Sequence, residues 1–262
     1  MDKFTLKQQR YIKKVQRHKR IIFLQQILLF LFFLGLWEFS ASTGLIDDFI
    51  FSSPSRVIKS MISMAADGSL FIHIGTTLME TVISFMLVTF LSIFVSVLLW
   101  MNHSLSEIVE PYLVMLNSLP KSALAPLLIV WLGNNTKTII VAAISVAVFG
   151  SIISLYTNFR EMDSDKIKLI YTLGGNKKIA MKKVIIPGSI PIIISNMKVN
   201  IGLCLVGVVI GEFLAAKQGL GYLIIYGSQV FKLDWVIMSI VILCIVAMGL
   251  YSIINLIEKK YH

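Results

Sequence analysis

The stretch KTIIVAAISVAVFGSIISLY, residues 137–156, contains no charged side chain after its first lysine. A helix rises about 1.5 Å per residue and needs about 20 apolar residues to cross the hydrocarbon core of a bilayer. These residues are therefore predicted to form a transmembrane helix. Such a helix satisfies its own backbone hydrogen bonds, as a segment surrounded by lipid must do.

The composition extends this prediction to the whole chain. Of its 262 residues, 56% are hydrophobic and only 15% are charged, and the mean hydropathy is +0.83. Soluble domains carry about 25% charged residues, so the sequence predicts an all-α polytopic membrane protein. The two cysteines, Cys204 and Cys244, lie inside apolar stretches. We expect both to be small buried hydrophobic residues rather than parts of a disulfide framework.

Five more stretches are predicted to span the membrane, which gives six transmembrane helices. They are residues 21–39, 73–100, 106–132, 189–213 and 235–257. The third span in chain order contains Pro111, Pro120 and Pro126. Proline removes a helix hydrogen bond and collides with the preceding turn, so this span is expected to be kinked or broken.

The segment between the first two spans is too polar to cross a bilayer. Its residues 53–55, Ser-Pro-Ser, have the form of a helix start with proline in the first turn. Apolar residues recur at helical spacing directly after it: Val57, Ile58, Met61 and Ile62. We therefore expect residues 21–69 to form the first span and a short extracytoplasmic amphipathic helix that lies at the membrane surface.

Basic residues determine the predicted orientation of the spans. The chain carries 24 Lys and Arg against 14 Asp and Glu, a net charge of +10. Seventeen of the basic residues fall in three segments: residues 1–20, the connection between the fourth and fifth spans, and the C-terminus. Cytoplasmic loops are enriched in Lys and Arg, so both termini and this connection are predicted to face the cytoplasm.

The basic arm, residues 1–20, has a second interpretation as a segment that binds nucleic acid or anionic lipid. Its position directly before a span favours the topological role. We therefore expect the lipid bilayer, and no nucleic acid, as its partner.

The connection between the fourth and fifth spans, residues 160–187, has the pattern of two short helices. Asp163 or Ser164 is suited to cap the first helix. Gly174 and Gly175 are expected to end it, one of them in the left-handed conformation. Its apolar residues recur at i, i+3 and i+4: Ile167, Ile170 and Tyr171.

A second helix is expected to begin after Asn176 and to end at Pro187. Three roles fit two short basic helices between spans. A solvated loop explains their charge but not their caps and apolar face. A DNA-binding helix-turn-helix often has glycine in its turn, but attachment to spans on both sides hinders its entry into a DNA groove. A docking surface for a cytoplasmic partner uses such an apolar helix face, and it is the role that we favour.

Residues 160–187 resemble the coupling segment of permease subunits of bacterial ABC importers. The signature of that family has a Glu-Ala-Ala triplet, a glycine four residues after its last alanine, and then Ile-x-Leu-Pro. Gly174 matches the glycine, and Val-Ile-Ile-Pro at residues 184–187 matches the last element. The triplet position departs from the family, because residues 168–170 read Lys-Leu-Ile. The role of the family glutamate therefore does not carry over to this chain, whereas an apolar docking face does.

Three further stretches resemble the nitrate, sulfonate and taurine branch of the same family. Residues 37–58, 118–137 and 211–224 are similar to its WE…GLI…PSP, LPK.AL.PL…W.G and E…GLG.L patterns, in the same order. The resemblance implies a permease core over residues 70–262. One departure is Glu80 in the second span, which stands at a position that is usually arginine.

The resemblance implies a set of partners and no enzyme activity in this chain. The partners are two cytoplasmic ATP-binding cassette subunits, an extracytoplasmic solute-binding protein, and a second permease copy in a homodimer or a paired heterodimer. ATP and Mg²⁺ would bind to the ATPase subunits, because this sequence has no Gly-rich phosphate loop of the Walker type. No cofactor or metal site is expected, since the four histidines are scattered along the sequence. The solute would be small and anionic or heterocyclic, similar to a sulfonate, taurine, nitrate, a thiamine precursor or riboflavin.

Two sets of residues are predicted to carry this function. The ATPase-coupling residues implied by the resemblance are Ile167, Leu169, Ile170, Tyr171, Leu173, Gly174, Gly175 and Pro187. Polar and ionisable residues inside spans are costly and mark functional sites. On that ground the residues predicted to line the solute pathway, with the break in the third span, are Pro120, Lys121, Asn196, Lys198, Asn200 and Glu212. The alternative is that Lys198 reaches the cytoplasmic interface and that Glu212 lies in water at the outer side.

Two other classes of protein also have several membrane spans. A secondary transporter needs no ATPase, uses acidic residues near the membrane midplane for ion coupling, and often has inverted repeats. A membrane-bound enzyme would have His, Asp or Glu clustered within its spans. The sequence contains neither pattern, so an importer permease in the bacterial cytoplasmic membrane is the favoured interpretation.

Overall fold

The computed structural model describes the backbone of residues 6–261 and the side chains of residue 11 and of residues 14–121 and 123–259. Within this range about nine-tenths of the residues are helical and none forms a strand. The helices are α1 Leu6–Ser42, α2 Asp48–Phe51, α3 Pro54–Ala66, α4 Ser69–Met101, α5 His103–Ser118, α6 Lys121–Leu132, α7 Thr136–Glu161, α8 Ser164–Thr172, α9 Lys177–Ala180, α10 Ile186–Ala215, α11 Leu220–Gln229 and α12 Leu233–Tyr261. A π-helical turn, Met181–Ile185, joins α9 to α10.

Five helices in the described range are long and apolar enough to cross a bilayer. They are α1, α4, α7, α12 and the continuous helix Lys177–Ala215 that contains α10. α5 and α6 together form a sixth candidate span, with a bend of 105° between them. Each of the six predicted spans therefore corresponds to a helix or, for the third, to a broken pair of helices.

The break in the third span lies at Pro120, between α5 and α6. Leu119 has an extended backbone with ψ of 140°, which is the conformation that a following proline favours. Pro111 and Pro126 lie inside α5 and α6 without ending either helix. Only one of the three prolines therefore breaks the span, and the two others are accommodated within it.

α7 is the centre of the helical core and packs against both α4 and α10. Small residues meet where α7 contacts α10. A Cβ on Gly207 would lie 2.6 Å from the Cα of Ala143, and one on Gly211 would lie 3.0 Å from the Cα of Ile139. The absent side chains let the two helix backbones approach closely, which is how membrane helices gain packing contacts in lipid.

Helix α3 forms where the sequence predicts it, and Ser53 is its N-cap. Its buried residues are Val57 and Met64, which pack in a cluster with residues of α11 and α12. Ile58 and Ile62, which we expected on the apolar face, are exposed. Contacts with α11 and α12 decide which side of α3 is buried, so of the four predicted apolar residues Val57 and Met61 pack in this cluster and the two isoleucines do not.

The two cysteines differ in their surroundings. Cys204 on α10 is buried in the core, as expected, whereas Cys244 on α12 is exposed. The expectation of burial was therefore wrong for Cys244. Lipid-facing and core-facing positions of a span are equally apolar, so composition alone does not separate them.

Candidate functional site

The first helix of the coupling segment, residues 160–187, is α8, and its start is fixed by a side-chain cap. The Asp163 carboxylate accepts a hydrogen bond from the backbone N–H of Asp165 at 2.9 Å. Of the two predicted caps, Asp163 rather than Ser164 has this role. The helix then runs for nine residues before two glycines end it.

Gly174 and Gly175 form a Schellman turn after α8. The N–H of Gly175 donates to the carbonyl oxygen of Ile170 at 2.8 Å, and the N–H of Gly174 donates to that of Tyr171 at 3.0 Å. Gly174 has φ of +79°, in the left-handed region that favours glycine. A Cβ on Gly175 would lie 2.8 Å from the carbonyl oxygen of Ile170. The first glycine is therefore required for its dihedral angle and the second for lack of space.

The second helix begins as predicted but does not end as predicted. The Asn176 side chain caps α9 by accepting a backbone N–H hydrogen bond at 3.0 Å. Pro187 was expected to end this helix, but α9, the π-helical turn and α10 form one continuous helix, Lys177–Ala215. In the π-helical turn the N–H of Ile186 donates to the carbonyl oxygen of Met181. This wide turn directly before Pro187 lets the helix accommodate the proline ring and its missing N–H.

The predicted docking residues divide into two groups by their exposure. Leu169, Tyr171 and Leu173 are 58%, 45% and 75% exposed, and we call them the exposed ridge. Ile167 and Ile170 are half-buried. Of the predicted face, Tyr171 is therefore presented to solvent, whereas Ile167 and Ile170 are turned toward the protein; Leu169 and Leu173, one helical turn apart, expose a different side of α8.

A cluster of buried hydrophobic side chains connects α8 to the membrane-spanning helices. The cluster contains Phe159, Met181 and Ile185, with Ile167, Val97, Trp100 and Met101 packed against it. In addition, the Lys177 Nζ lies 5.4 Å from the centre of the Trp100 ring, within cation–π range. These contacts involve α4, α7 and the start of the fifth span, so a displacement of α8 would be transmitted to all three.

Lys168 stands at the position where the resembled family has glutamate. Its ammonium group forms an ion pair with Asp165 at 3.1 Å, one turn earlier in α8, and both side chains are exposed. The charge of Lys168 is therefore balanced within its own helix.

Asn196 and Asn200 line a cleft beside α10, on one helix face as their spacing predicts. The Asn200 Nδ2 donates to the Asn196 Oδ1 and to the Ser151 Oγ, each at 2.8 Å. The Ser151 hydroxyl donates to the Asn196 Oδ1 at 2.9 Å. A cavity of about 330 Å³ adjoins this network, and Ser154 and Ser195 also line it. The described lining of the cleft carries hydroxyl and amide groups but no charge.

Pro120 and Lys121 lie at the break in the third span and reach the cleft only indirectly. The Lys121 Nζ donates to the carbonyl oxygens of Leu116 and Asn117, at the end of α5. Asn117 in turn adjoins the cleft, because a Cβ on Gly150 would lie 3.2 Å from its Oδ1. Lys121 therefore caps α5 rather than projecting into the cleft.

Lys198 points toward α12 and away from Asn196 and Asn200. Its ammonium group pairs with Glu258, donates to the Asn255 Oδ1 at 3.1 Å, and lies 5.6 Å from the centre of the Tyr251 ring. The structure therefore does not bring Lys198 together with the asparagines of the predicted pathway.

Glu212 is also separate from the cleft. It is 1% exposed, which excludes the alternative that it lies in water at the outer side. Its carboxylate accepts hydrogen bonds from the Thr77 hydroxyl at 2.7 Å and from the backbone N–H of Gly221. Glu80 of α4, noted in the sequence only as a departure, lies within hydrogen-bonding reach of Glu212. Each glutamate stands out in the sequence as an ionisable residue inside a span, but nothing in the sequence indicates that they meet.

Ser151 and Thr77 were missed as site residues by the sequence analysis. Spans of this chain contain many serines and threonines, and several of those in the described part bond to the preceding turn of their own helix, as Ser92 does. No sequence signal distinguishes the hydroxyls that reach across to another helix.

The profile of one protein family matches residues 89–261, about two thirds of the chain. The family is described as the inner membrane component of binding-protein-dependent transport systems. The matched range contains both the coupling segment and the cleft.

Curated proteins from several bacteria are similar to most of the chain. It is 25% identical over 242 residues to a probable ABC transporter permease protein of Haemophilus influenzae, which covers 92% of this chain and 98% of that protein. It is 26% identical over 199 residues to the formylaminopyrimidine transport permease protein ThiX of Halalkalibacterium halodurans, covering 76% and 79%. It is 23% identical over 249 residues to the putative aliphatic sulfonates transport permease protein SsuC of Bacillus subtilis, covering 95% and 90%.

A solved structure has the same fold. A chain of the MetNI methionine ABC transporter in an inward facing conformation superimposes with a TM-score of 0.66 and 19% sequence identity. The superposition covers 74% of this chain and 96% of that one.

Proposed function

We propose, from the premise that this chain belongs to the family of binding-protein-dependent transport system inner membrane components, that it is the membrane-spanning subunit of an ATP-driven importer. Members of this family are multi-pass proteins of the cytoplasmic membrane and are not themselves catalytic. Two ATP-binding cassette subunits would bind ATP and Mg²⁺ at its cytoplasmic side. A second permease copy, in a homodimer, would complete the pathway, and an extracytoplasmic binding protein would deliver the solute.

The exposed ridge of α8 is the observation that carries this proposal. Leu169, Tyr171 and Leu173 are apolar, close together in sequence and without a covering element in the described chain. A helix that is capped at one end and closed by a Schellman turn at the other presents them rigidly. Leu169 and Leu173 share one side of the helix and Tyr171 lies on the other, so a groove that encloses α8 would contact all three, and a cytoplasmic ATPase is the partner that the family implies.

The geometry also suggests how motion would pass from such an ATPase to the solute pathway. Movement of α8 would act through Ile167 on the buried cluster around Phe159 and Ile185. α7 ends at that cluster and α10 begins there, and the two helices carry Ser151, Asn196 and Asn200 of the cleft. In this scheme one continuous set of contacts couples ATP binding to the side of the membrane on which the cleft is open. Alternating access requires such a coupling.

The solute that we propose is small, polar and either anionic or heterocyclic. Relatives of this chain are named for formylaminopyrimidine and for aliphatic sulfonates. Hydroxyl and amide groups at the cleft offer both donors and acceptors, which suits hydrogen bonding to a ring nitrogen or to a sulfonate oxygen. Lys198 is paired elsewhere, so the proposal assigns it no contact with an anion.

Copurification with the ATPase tests the proposal directly. Leu173 is to be replaced by glutamate in the full chain, expressed together with its ATPase and binding protein. A charge on the ridge should cost about 2 kcal/mol of binding free energy, as for an interface hot spot, or roughly thirtyfold in affinity. The measurement is the amount of ATPase that copurifies with the permease, together with solute uptake.

Leu45→Glu is the matched control, because Leu45 is 73% exposed but lies in the loop between α1 and α2. This variant should retain the ATPase and transport normally. Equal ATPase recovery with Leu173→Glu and the unaltered chain would contradict docking at α8. Uptake that continues with no ATPase bound would indicate the alternative, an ATPase-independent secondary transporter.

A further inference from the structure

Two glutamates from different spans meet inside the protein. Glu80 of α4 is 2% exposed and Glu212 of α10 is 1% exposed. Glu80 lies one helical turn after Thr77, on the same side of α4, and the Thr77 hydroxyl donates to the Glu212 carboxylate at 2.7 Å, so the two carboxyl groups are neighbours. Both belong to helices that cross the membrane. Two ionised carboxylates in such a place would repel each other and would each lose their hydration.

Hydrogen-bond donors are distributed unequally between the two carboxyl groups. Glu212 accepts from the Thr77 hydroxyl at 2.7 Å and from the Gly221 N–H. In contrast, the Glu80 Oε2 is fully buried and has no donor among the described residues. A carboxylate with several donors is stable as an anion, whereas a buried oxygen with none is costly unless it carries a proton itself.

We infer that Glu80 and Glu212 form a binding site for a single proton, which is carried by Glu80 and donated to the Glu212 carboxylate. This arrangement leaves one negative charge on the pair instead of two. It also adds a hydrogen bond for the Glu80 carboxyl group, for which the Thr136 hydroxyl is a further side-chain partner.

The neighbouring ionisable groups do not remove the need for this proton. On α4, the His73 Nδ1 accepts a hydrogen bond from the Gly219 N–H at 3.0 Å, so this nitrogen carries no proton. On α11, Tyr222 stacks against His73. Lys217 in the loop before α11 and Lys137 at the start of α7 are exposed. Among the described residues, neither lysine forms an ion pair with Glu80 or Glu212.

A polar cavity gives the proton a route to the site. A space of about 280 Å³ adjoins Glu80, and its lining is partly apolar and partly polar, with polar groups from Thr76, Asn134, Asn135, Thr136, Lys217 and Gln218. Its volume and these polar groups suit ordered water. Water in this cavity would connect Glu80 with the solvent beside the loops that precede α7 and α11.

The proton would hold α4 to the loop between α10 and α11. Thr77 of α4 accepts a hydrogen bond from the Leu220 N–H at 2.8 Å while it donates to Glu212. Gly219 and Gly221 pass so close to the Glu212 carboxylate that neither has room for a Cβ. Loss of the proton would place a second negative charge in this tight contact. The folded state retains a proton that an unfolded glutamate has released at neutral pH, so the free energy of unfolding should fall as the pH rises.

Infrared spectroscopy of the purified full chain tests this inference. The unaltered protein at neutral pH should show the C=O band of a protonated carboxylic acid. That band should be absent in Glu80→Gln, whose amide donates permanently to Glu212, and should remain in Glu161→Gln, an exposed glutamate at the end of α7. The thermal unfolding midpoint should decrease with rising pH in the unaltered chain and in Glu161→Gln, and it should be nearly independent of pH in Glu80→Gln.

Several results would overturn the inference, which does not depend on the transport proposal. One is the absence of a carboxylic-acid band from the unaltered protein, a measurement that needs no variant to fold. Another is a band that persists in Glu80→Gln. A midpoint that rises on addition of Na⁺ or K⁺ at constant ionic strength would show that a metal cation, not a proton, lies between the carboxylates. If Glu80→Gln does not fold, Glu80→Arg replaces it, since a guanidinium opposite Glu212 should also make unfolding independent of pH.

Discussion

Lys198 illustrates how a charged side chain is accommodated inside a membrane-spanning helix. The sequence marked it as a candidate for binding an anionic solute, because an unpaired charge in lipid is costly. The structure instead pairs it with Glu258 of α12 and surrounds the pair with Asn255 and Tyr251. The ion pair with Glu258 compensates the charge of Lys198 inside the protein. These contacts indicate that Lys198 joins α10 to α12.

Replacing Lys198 with methionine should therefore destabilise the chain more than it changes solute binding. The substitution leaves the largely buried Glu258 without its partner, which we expect to cost about 1–3 kcal/mol. The thermal unfolding midpoint of the purified chain should fall. Uptake per folded molecule at limiting solute concentration should stay close to that of the unaltered chain.

The double variant Lys198→Met with Glu258→Gln separates pairing from a role in the pathway. Removing both charges should recover much of the lost stability, because no buried charge is then left alone. A large increase in the solute concentration needed for half-maximal uptake, in both the single and the double variant, would contradict this view and return Lys198 to the pathway.

At the scale of the structural element, the glycine turn after α8 gives the sharpest prediction. Gly174 has φ of +79°, and a Cβ there would have no atom within 4 Å. Valine at this position would not collide with anything, but it would occupy a backbone conformation that costs a residue with a Cβ about 1–2 kcal/mol. Gly174→Val should therefore disorder the turn, release the ATPase and abolish uptake.

Gly174→Asn is the matched control for this prediction. Asparagine is larger than glycine but tolerates the left-handed conformation, so this variant should keep both the ATPase and transport. ATPase binding and uptake that survive in Gly174→Val would mean that the turn does not position the docking surface. Loss of function in both variants would indicate that side-chain volume, rather than φ, matters at this position.

The helices and the turn of the coupling segment could be predicted where the sequence signal depends only on neighbouring residues. The cap at Asp163, the cap at Asn176 and the glycine turn each depend on a few adjacent residues, and all three were predicted. The continuation of the helix through Pro187 was not, because a π-helical turn just before it changes the hydrogen-bond register. Which of the predicted apolar residues of α8 are exposed could not be told from the sequence, since the buried cluster that holds Ile167 is formed by distant parts of the chain.

For the whole molecule, hydropathy was sufficient to predict the apolar helices and their order along the chain but not their contacts. Asn196 and Asn200 were placed on one face by helical spacing alone, and they do line a cleft. The partners of Lys198, Glu80 and Glu212 come from helices far away in sequence. A single sequence marks such residues as unusual, but it does not reveal which of them meet.

The orientation of the molecule in the membrane remains a prediction, and it depends on whether the bent pair α5–α6 crosses the membrane. If this pair crosses the membrane, there are six spans, and the basic segments all lie in the cytoplasm. If the pair enters and leaves on the same side and the N-terminus is cytoplasmic, there are five spans, and the coupling segment and the C-terminus both lie outside. An ATPase could then not reach α8. We expect six spans, because seventeen of the 24 basic residues would otherwise be divided between the two sides.

Labelling of single cysteines in intact cells distinguishes the two arrangements. Cys204 and Cys244 are first replaced by alanine, and a cysteine is then introduced at Leu45, Lys178 or Lys259, which are all exposed. With six spans, a membrane-impermeant thiol reagent should label only position 45, and positions 178 and 259 should react only after the cells are permeabilised. Retained uptake shows that each variant is folded. Labelling of positions 178 and 259 in intact cells, at the rate seen for position 45, would establish five spans and would contradict docking of an ATPase at α8.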